Sequence, residues 1–289
     1  ISCFRDEAPW RTAVATDVGP REANNDAGMT ETILRCEHNF IEVFDFAGVF
    51  DGVGGHLEAG QAAETAMRCS HDSAKAQLGG SERIDELILV ERMMKSACNG
   101  VCREARSSNS PDHFRTTATL ALVSRRTGHG AIASIGDSEV FIRRSGGPVE
   151  RLAVPQRGTE PHIVTACLGP ERLGDPQFER LRLYPGDLLF LVTDGMVQPD
   201  MGRMTADQAA SAVVFEATRH SGLMSEAVQT VIEANTGITD VFGIPVFSDN
   251  QTMAVVGTGY SPEQFVVPDA YLSYGIPQCA SHVATESDN

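Results

Sequence analysis

Apolar and polar positions divide the chain into short strands and longer amphipathic helices. Arg11 to Asp17 reads as a strand running into a polar loop, Gly19-Pro20-Arg21-Glu22-Ala23-Asn24-Asn25-Asp26. Phe40 to Phe50 is rich in Val, Ile and Phe and stops at Asp51-Gly52, which predicts a strand entering a turn. Leu57 to Ala76 predicts a helix rich in Ala, Glu and Gln. Glu82 to Arg106 predicts a second helix, with Ile84, Leu87, Ile88, Met94, Val101 and Ala105 on one face and Pro111 beyond its end.

The pattern then shifts to strands. Thr116 to Ser124, Gly130 to Ile135 and Glu139 to Arg144 are separated or closed by Gly128, Gly136 and Gly146-Gly147. Val154 to Gly174 is irregular and predicts a long surface loop. Phe178 to Leu183 and Leu188 to Thr193 flank Pro185-Gly186 and predict a hairpin. Ala206 to Arg219 and Glu226 to Ala234 predict helices, and Gln251 to Thr258 a last strand. Helices inserted among strands that read as antiparallel point to an α+β arrangement, with sheet covered by helices. Nothing resembles a linker before Gly259, so residues 1–258 read as one domain. Residues 259–289 contain no Lys or Arg and read as an extension, partly ordered or docked through Phe265, Val266, Tyr271, Leu272 and Tyr274.

Charge narrows the function. Lys plus Arg number 23 and Asp plus Glu 39, a formal net charge of −16. That balance lacks the basic footprint of a nucleic-acid binder and is repelled by anionic membranes. No apolar run approaches the roughly 20 residues of a transmembrane helix. The 7 cysteines are odd in number and irregularly spaced, which suits reduced thiols in a reducing, cytoplasmic compartment. Cys98 and Cys102 lie one helical turn apart and read as a plain buried pair. The chain starts at Ile1, so an upstream segment is left open.

The candidate chemistry lies in aspartates at turns: Asp26, Asp51, Asp137, Asp194 and Asp249. Singly, each is a turn residue. Asp51 and Asp194, however, each close an apolar run, Phe46-Ala47-Gly48-Val49-Phe50 and Leu188-Leu189-Phe190-Leu191-Val192. An acid at the end of a buried strand costs desolvation unless a cation compensates. Several acids at one end of a sheet suit hard divalent cations, which prefer oxygen ligands.

An ordered series of segments resembles the motifs of the metal-dependent (type 2C) serine/threonine protein phosphatases, the PPM family, in bacterial-style form. Thr16 to Asp26 resembles the opening motif and Val49-Phe50-Asp51-Gly52-Val53-Gly54-Gly55-His56 the metal-binding loop. Thr116-Thr117-Ala118 and Ile135-Gly136-Asp137-Ser138 resemble the central motifs. Pro185-Gly186-Asp187, Val192-Thr193-Asp194-Gly195 and Ser248-Asp249-Asn250-Gln251-Thr252 resemble the last three.

The resemblance implies a four-layer fold, a central antiparallel β-sandwich with helices on both outer faces. It implies that Asp51 bridges two Mn²⁺ or Mg²⁺ ions, with the Gly52 carbonyl on one and Asp194 and Asp249 on the other. Asp26 would hold metal-bound water, Asp137 would ligate a third, weaker ion, and Arg21 would grip the substrate phosphate. The implied reaction is hydrolysis of phosphoserine or phosphothreonine in proteins, by direct attack of a hydroxide held between two metals. The implied partners are phosphoproteins made by a serine/threonine kinase. A pseudophosphatase that binds phosphoproteins without turnover is the alternative.

Four positions depart from the family pattern. Asn25 stands where glutamate is common, Val53 where many eukaryotic members have a histidine, Arg115 where glycine is usual, and Glu139 where arginine is common. Asn25 and Arg115 favour the pseudophosphatase, whereas the complete set of acids favours the enzyme. His56 and His162 read as loop or cap histidines before they read as a proton donor or phosphate contact. The loop from Val154 to Gly174 corresponds to the family's flap beside the active site.

Overall fold

The computed structural model describes residues 11–37, 40–54, 56–80, 85–160, 163–171, 173–197, 204–219, 223–237 and 249–258. Its strands are β1 (Arg11–Asp17), β2 (Asp26–Glu37), β3 (Phe40–Asp51), β4 (Ala118–Ser124), β5 (His129–Ile135), β6 (Glu139–Arg143), β7 (Val149–Arg151), β8 (Gln177–Arg182), β9 (Leu188–Val192) and β10 (Gln251–Gly257). Its helices are α1 (Leu57–Leu78), α2 (Glu86–Ala105), α3 (Ala206–Arg219) and α4 (Met224–Thr236). One antiparallel sheet runs β1-β10-β9-β6-β7 and the other β2-β3-β4-β5-β8.

The pleat of β3 shows how the layers arise, because successive side chains take opposite faces. Phe44, Phe46 and Phe50 face α1 and α2 and pack with Ala62, Ala66 and Met93. Ala47 and Val49 face the other sheet and meet Leu189, Leu191 and Val256. On the far side, Phe190, Met253 and Val255 pack against Val213 of α3 and Val228 and Ile232 of α4. Three apolar layers therefore hold four structural layers together, and the expected helix-flanked sandwich is the observed one. Ala residues line the buried stripe of α1, letting it approach the sheet closely. The Asp85 carboxylate accepts the Leu87 N–H at 2.9 Å and starts α2, so that helix begins after its expected position. Residues 82–84 of the expected helix lie outside the described residues.

Three elements differ from the sequence reading. The stretch from Asp26 to Glu37, given no element, forms a 12-residue strand. Its hydrophobic pattern is inverted near the end: Arg35 is 3% exposed while Leu34 is 57% exposed. The expected hairpin of residues 178–193 does not form. β8 pairs with β5 in one sheet, and β9 pairs with β6 and β10 in the other. All of β9 is buried, so it needs neighbours on both edges. The chain crosses between sheets at residues 183–187, held by Leu183 N–H to Gly128 O (2.8 Å) and Gly186 N–H to Thr258 O (2.9 Å). Lastly, the irregular loop is not all surface. Ala166, Cys167 and Leu168 are buried, and Thr116 and Leu168 exchange main-chain hydrogen bonds of 3.0 and 2.8 Å.

Residues 259–289 and His162 lie outside the described residues. Among the described residues no helix is long and apolar enough to cross a membrane. Among the described residues no disulfide joins Cys36, Cys69, Cys98, Cys102 or Cys167. Cys98 and Cys102 are half-buried.

Candidate active site

The register of β2 against β3 sets Asp26 directly opposite Asp51, so both carboxylates share the face turned toward the other sheet. Asp137 lies in the turn from β5 to β6, Asp194 in the turn after β9, and Asp249 just before β10. All five acids gather at one end of the sandwich, where the charges of Asp194 and Asp249 reach Asp26 and Asp51. Burial pushes the Asp26 carboxyl up to about 7, and the charges of Asp194 and Asp249 add to it, against hydrogen bonds from Thr193 and Thr252. Burial also holds Asp51 well above the usual carboxylate range, with Asp26, Asp194, Asp137 and Asp249 all raising it. Asp137 is pushed up to about 7 by burial and Asp194, while Arg157 pulls it down.

Hydroxyls from distant elements fix this end. Thr193 Oγ1 donates to Asp26 Oδ2 at 2.8 Å and accepts the Thr252 N–H at 2.9 Å. Thr117 Oγ1 accepts the Asp51 N–H at 3.0 Å and bonds Ser138 Oγ at 2.8 Å. Thr116 Oγ1 donates to the Asp51 carbonyl at 2.9 Å. The motif threonines thus hold the main chain of Asp51. Gly52 is required by close approach: a Cβ there would come 2.6 Å from Ala59 main-chain atoms. Gly136 has φ of +106°, a conformation open to glycine, and a Cβ would press into Thr117.

The opening loop is fastened to the last turn. Asn250 Oδ1 accepts the Asn25 N–H at 2.8 Å, and Asn250 Nδ2 donates to Val18 O (2.8 Å) and Ala23 O (3.1 Å). This fastening places Arg21 Nη2 3.2 Å from Asp249 Oδ2, with both side chains partly exposed. Arg21 therefore joins the acids. Asn25 turns its side chain toward Gly60 at the start of α1. His56 is exposed at the start of α1 and meets His113 edge-on at 4.1 Å between ring centroids. Arg115 packs on Gly169 at the end of the irregular loop, near the buried Cys167 thiol.

Sequence reasoning assigned no partner to Thr193, Asn250 or Arg157. Thr193 and Asn250 stand inside motifs already read, yet their partners lie 167 and 225 residues away, at Asp26 and Asn25, and no local pattern announces such pairs. The donor set is oxygen-rich, which suits a hard divalent cation. Among the described residues no three carboxylates, imidazoles or thiols close on a common point. The acids act on one another through their charge.

The fold recurs in solved structures. The Mycobacterium tuberculosis serine/threonine phosphatase PstP/Ppp is 16% identical, with 87% of this chain and 99% of that chain aligned at a TM-score of 0.63. Stp1 from Staphylococcus aureus is 19% identical, with 90% and 100% aligned at 0.62. The catalytic domain of PstP in complex with 2 manganese ions is 18% identical, with 87% and 99% aligned at 0.62. At these identities the likeness is one of fold. A comparison with curated protein sequences finds no match. The family model for protein phosphatase 2C matches residues 37–234, more than half of the chain. That span includes Asp51, Asp137 and Asp194 and leaves Arg21, Asp26 and Asp249 outside. A match of this extent, on a sandwich with acids gathered at one end, means that the chain belongs to the protein phosphatase 2C family.

Proposed function

We propose that this protein phosphatase hydrolyses phosphoserine and phosphothreonine in proteins at a centre that holds two divalent ions, Mn²⁺ or Mg²⁺. One observation carries the reading: five carboxylates gather at one end of the sandwich, where burial and neighbouring negative charge push the Asp26, Asp51 and Asp137 carboxyls above the usual range and oppose their ionisation. A cation beside Asp26 and Asp51 removes that cost there. The solved PstP domain with its 2 manganese ions supports the choice of metal.

In this reading Asp51 would help to hold both ions. The Gly52 carbonyl, Asp194 and Asp249 would complete the oxygen donors that hold them. When bound, the ions supply the charge that deprotonates an attacking water near neutral pH and steadies the transferring phosphoryl group. The protein's own groups do the rest. Asp26, held by Thr193, orients the attacking water. Thr117 and Thr116 fix the main chain of Asp51. Arg21, on the exposed rim beside Asp249, offers a planar fork to two phosphate oxygens. Val53 brings no proton donor to the leaving group, which suits release of the serine or threonine oxygen to a solvent proton. The acidic surface disfavours nucleic acid and leaves phosphoproteins, the products of a serine/threonine kinase, as substrates.

The test is phosphate release from a phosphothreonine peptide with Mn²⁺, then with excess chelator. Chelator-sensitive turnover is expected. Turnover that survives chelation overturns the metal mechanism. Absence of turnover, with metal binding confirmed by calorimetry, overturns the enzymatic reading in favour of a phosphoprotein-binding role.

A further inference from the structure

The family resemblance gives Asp137 a third ion. The surroundings of Asp137 do not fit one. Arg157, from the irregular loop, places Nε 3.6 Å from Asp137 Oδ2 and donates from Nη2 to the Asp137 carbonyl at 3.1 Å. The same Nη2 donates to Glu139 Oε1 at 3.2 Å, and Arg151 Nε lies 2.6 Å from Glu139 Oε2. Asp137 and Glu139 are almost fully buried, and the Arg157 side chain is 19% exposed. Two carboxylates thus face two guanidinium groups, and their formal charges cancel.

The neighbouring main chain keeps Arg157 there. The Gln156 N–H donates to Gly136 O at 2.8 Å, and Gln156 Oε1 accepts the Gly136 N–H at 2.9 Å. The Thr165 N–H donates to Gln156 O at 2.9 Å, which closes the loop behind it. Residues 156 and 157 therefore clasp the 136–137 turn from both sides. Glu139 stands where the family commonly has arginine, and here an arginine arrives from the loop instead.

We infer that the Arg157 guanidinium takes the place of a third cation beside Asp137, so that this chain assembles a centre of two ions and uses Asp137 to anchor the irregular loop. The inference rests on the two-ion reading above. Asp137 Oδ1 keeps no hydrogen-bond partner, so one oxygen remains open. One oxygen is a poor site for Mg²⁺ or Mn²⁺, which require several. The Asp137 carbonyl, its own main-chain oxygen, already accepts from Arg157. A divalent ion at Oδ1 would also share its carboxylate with a fixed positive charge, which repels it in a partly buried site.

The experiment counts ions. The full chain is dialysed to equilibrium against Mn²⁺ at rising concentration, and bound metal per chain is measured by elemental mass spectrometry. Wild type and Arg157→Lys, which keeps the positive charge, should both saturate at two ions. Arg157→Gln should gain a third, weak ion. Asp137→Asn in the wild-type background should still hold two, and this variant decides the matter if Arg157→Gln does not fold. Three ions in wild type, or loss of an ion in Asp137→Asn, overturns the inference and leaves the catalytic reading standing. Two ions in both wild type and a folded Arg157→Gln do the same. No bound ion in wild type overturns the two-ion reading itself, and this inference with it.

Discussion

Strand β3 carries one inward-facing aspartate toward each end of the sandwich, and the two are treated in opposite ways. Asp45 is fully buried, and Arg125 grips it with both arms, Nε to Oδ2 at 2.8 Å and Nη2 to Oδ1 at 2.7 Å. Thr32, directly opposite on β2, donates to Asp45 Oδ1 at 3.0 Å. Asp51, six residues on, faces Asp26 across the same pair of strands. Among the described residues no cationic side chain is paired with it; burial and four further aspartates oppose its ionisation. One strand thus holds both the fold's own solution for a buried carboxylate and a place where that solution is withheld. The first stabilises the fold. The second costs stability and leaves charge for something the protein binds.

The largest expected effects come from removing each carboxylate. Asp51→Asn should lower turnover at least ~1,000-fold if that acid holds both ions as proposed. The same change should raise the thermal midpoint of the metal-stripped protein, because it removes a repelling charge. Asp45→Ala should do the reverse. It leaves Arg125 without its partner, and the cost should fall near about 3 kcal/mol, since the Arg125 side chain is 29% exposed. Turnover per folded molecule should hardly change. Urea denaturation and initial rates on purified variants check both. An Asp51→Asn protein that is less stable without metal than wild type would break the comparison.

The pH dependence of the metal-free protein sharpens it. Burial pushes Asp26 and Asp137 up to about 7 from an ordinary carboxyl value of 3.8. Raised carboxyls favour the fold while protonated. Their contribution is therefore full below about 3.8 and is lost as pH climbs through about 7. The thermal midpoint of chelated protein should fall across that window, and Mn²⁺ should restore it at the upper end. Asp51→Asn should flatten the slope. A midpoint that rises with pH in chelator, across the same window, would contradict the crowded-acid picture.

The contrast also shows what was legible in the sequence. Asp51 and Asp194 were legible because each ends an apolar run, and a carboxylate there is costly; Asp26, Asp137 and Asp249 were legible as turn residues within the ordered motifs. The layers were legible where the pleat is regular, as along β3. Strand β2 was not, because buried Arg35 beside exposed Leu34 erases the alternation. The false hairpin came from assuming that neighbouring strands pair, whereas β8 pairs with β5 and β9 with β6 and β10, in two sheets that meet at a shared core. Within the site the acids could be named, but not their keepers. Thr193 reaches Asp26 from 167 residues away, and Arg157 reaches Asp137 from a loop with no periodic pattern.

Smaller effects should come from those keepers. Thr117→Val removes the acceptor of the Asp51 N–H, leaving that donor unpaired at a cost of about 1–3 kcal/mol. Turnover should drop about tenfold, with weaker metal binding, while Asp45 and its arginine remain untouched. Titration of activity with Mn²⁺ separates the two contributions. An unchanged metal requirement would mean that Thr117 serves the fold alone.

The smallest change falls on the rim. Arg21 is exposed and lies 3.2 Å from Asp249 Oδ2, so its loss should not disturb the core. If it grips phosphate equally in the bound and reacting states, Arg21→Ala should raise KM about tenfold with little change in kcat. Arg21→Lys should recover only part, because a point charge cannot hold two oxygens at once. The choice of substrate makes the test decisive. A small aryl phosphate offers the enzyme little but its phosphate, whereas a phosphopeptide also touches the surrounding loops. A KM rise on both places the guanidinium on the phosphate. A rise on the peptide alone places it on the polypeptide, and the rim would then read sequence around the phosphorylated residue.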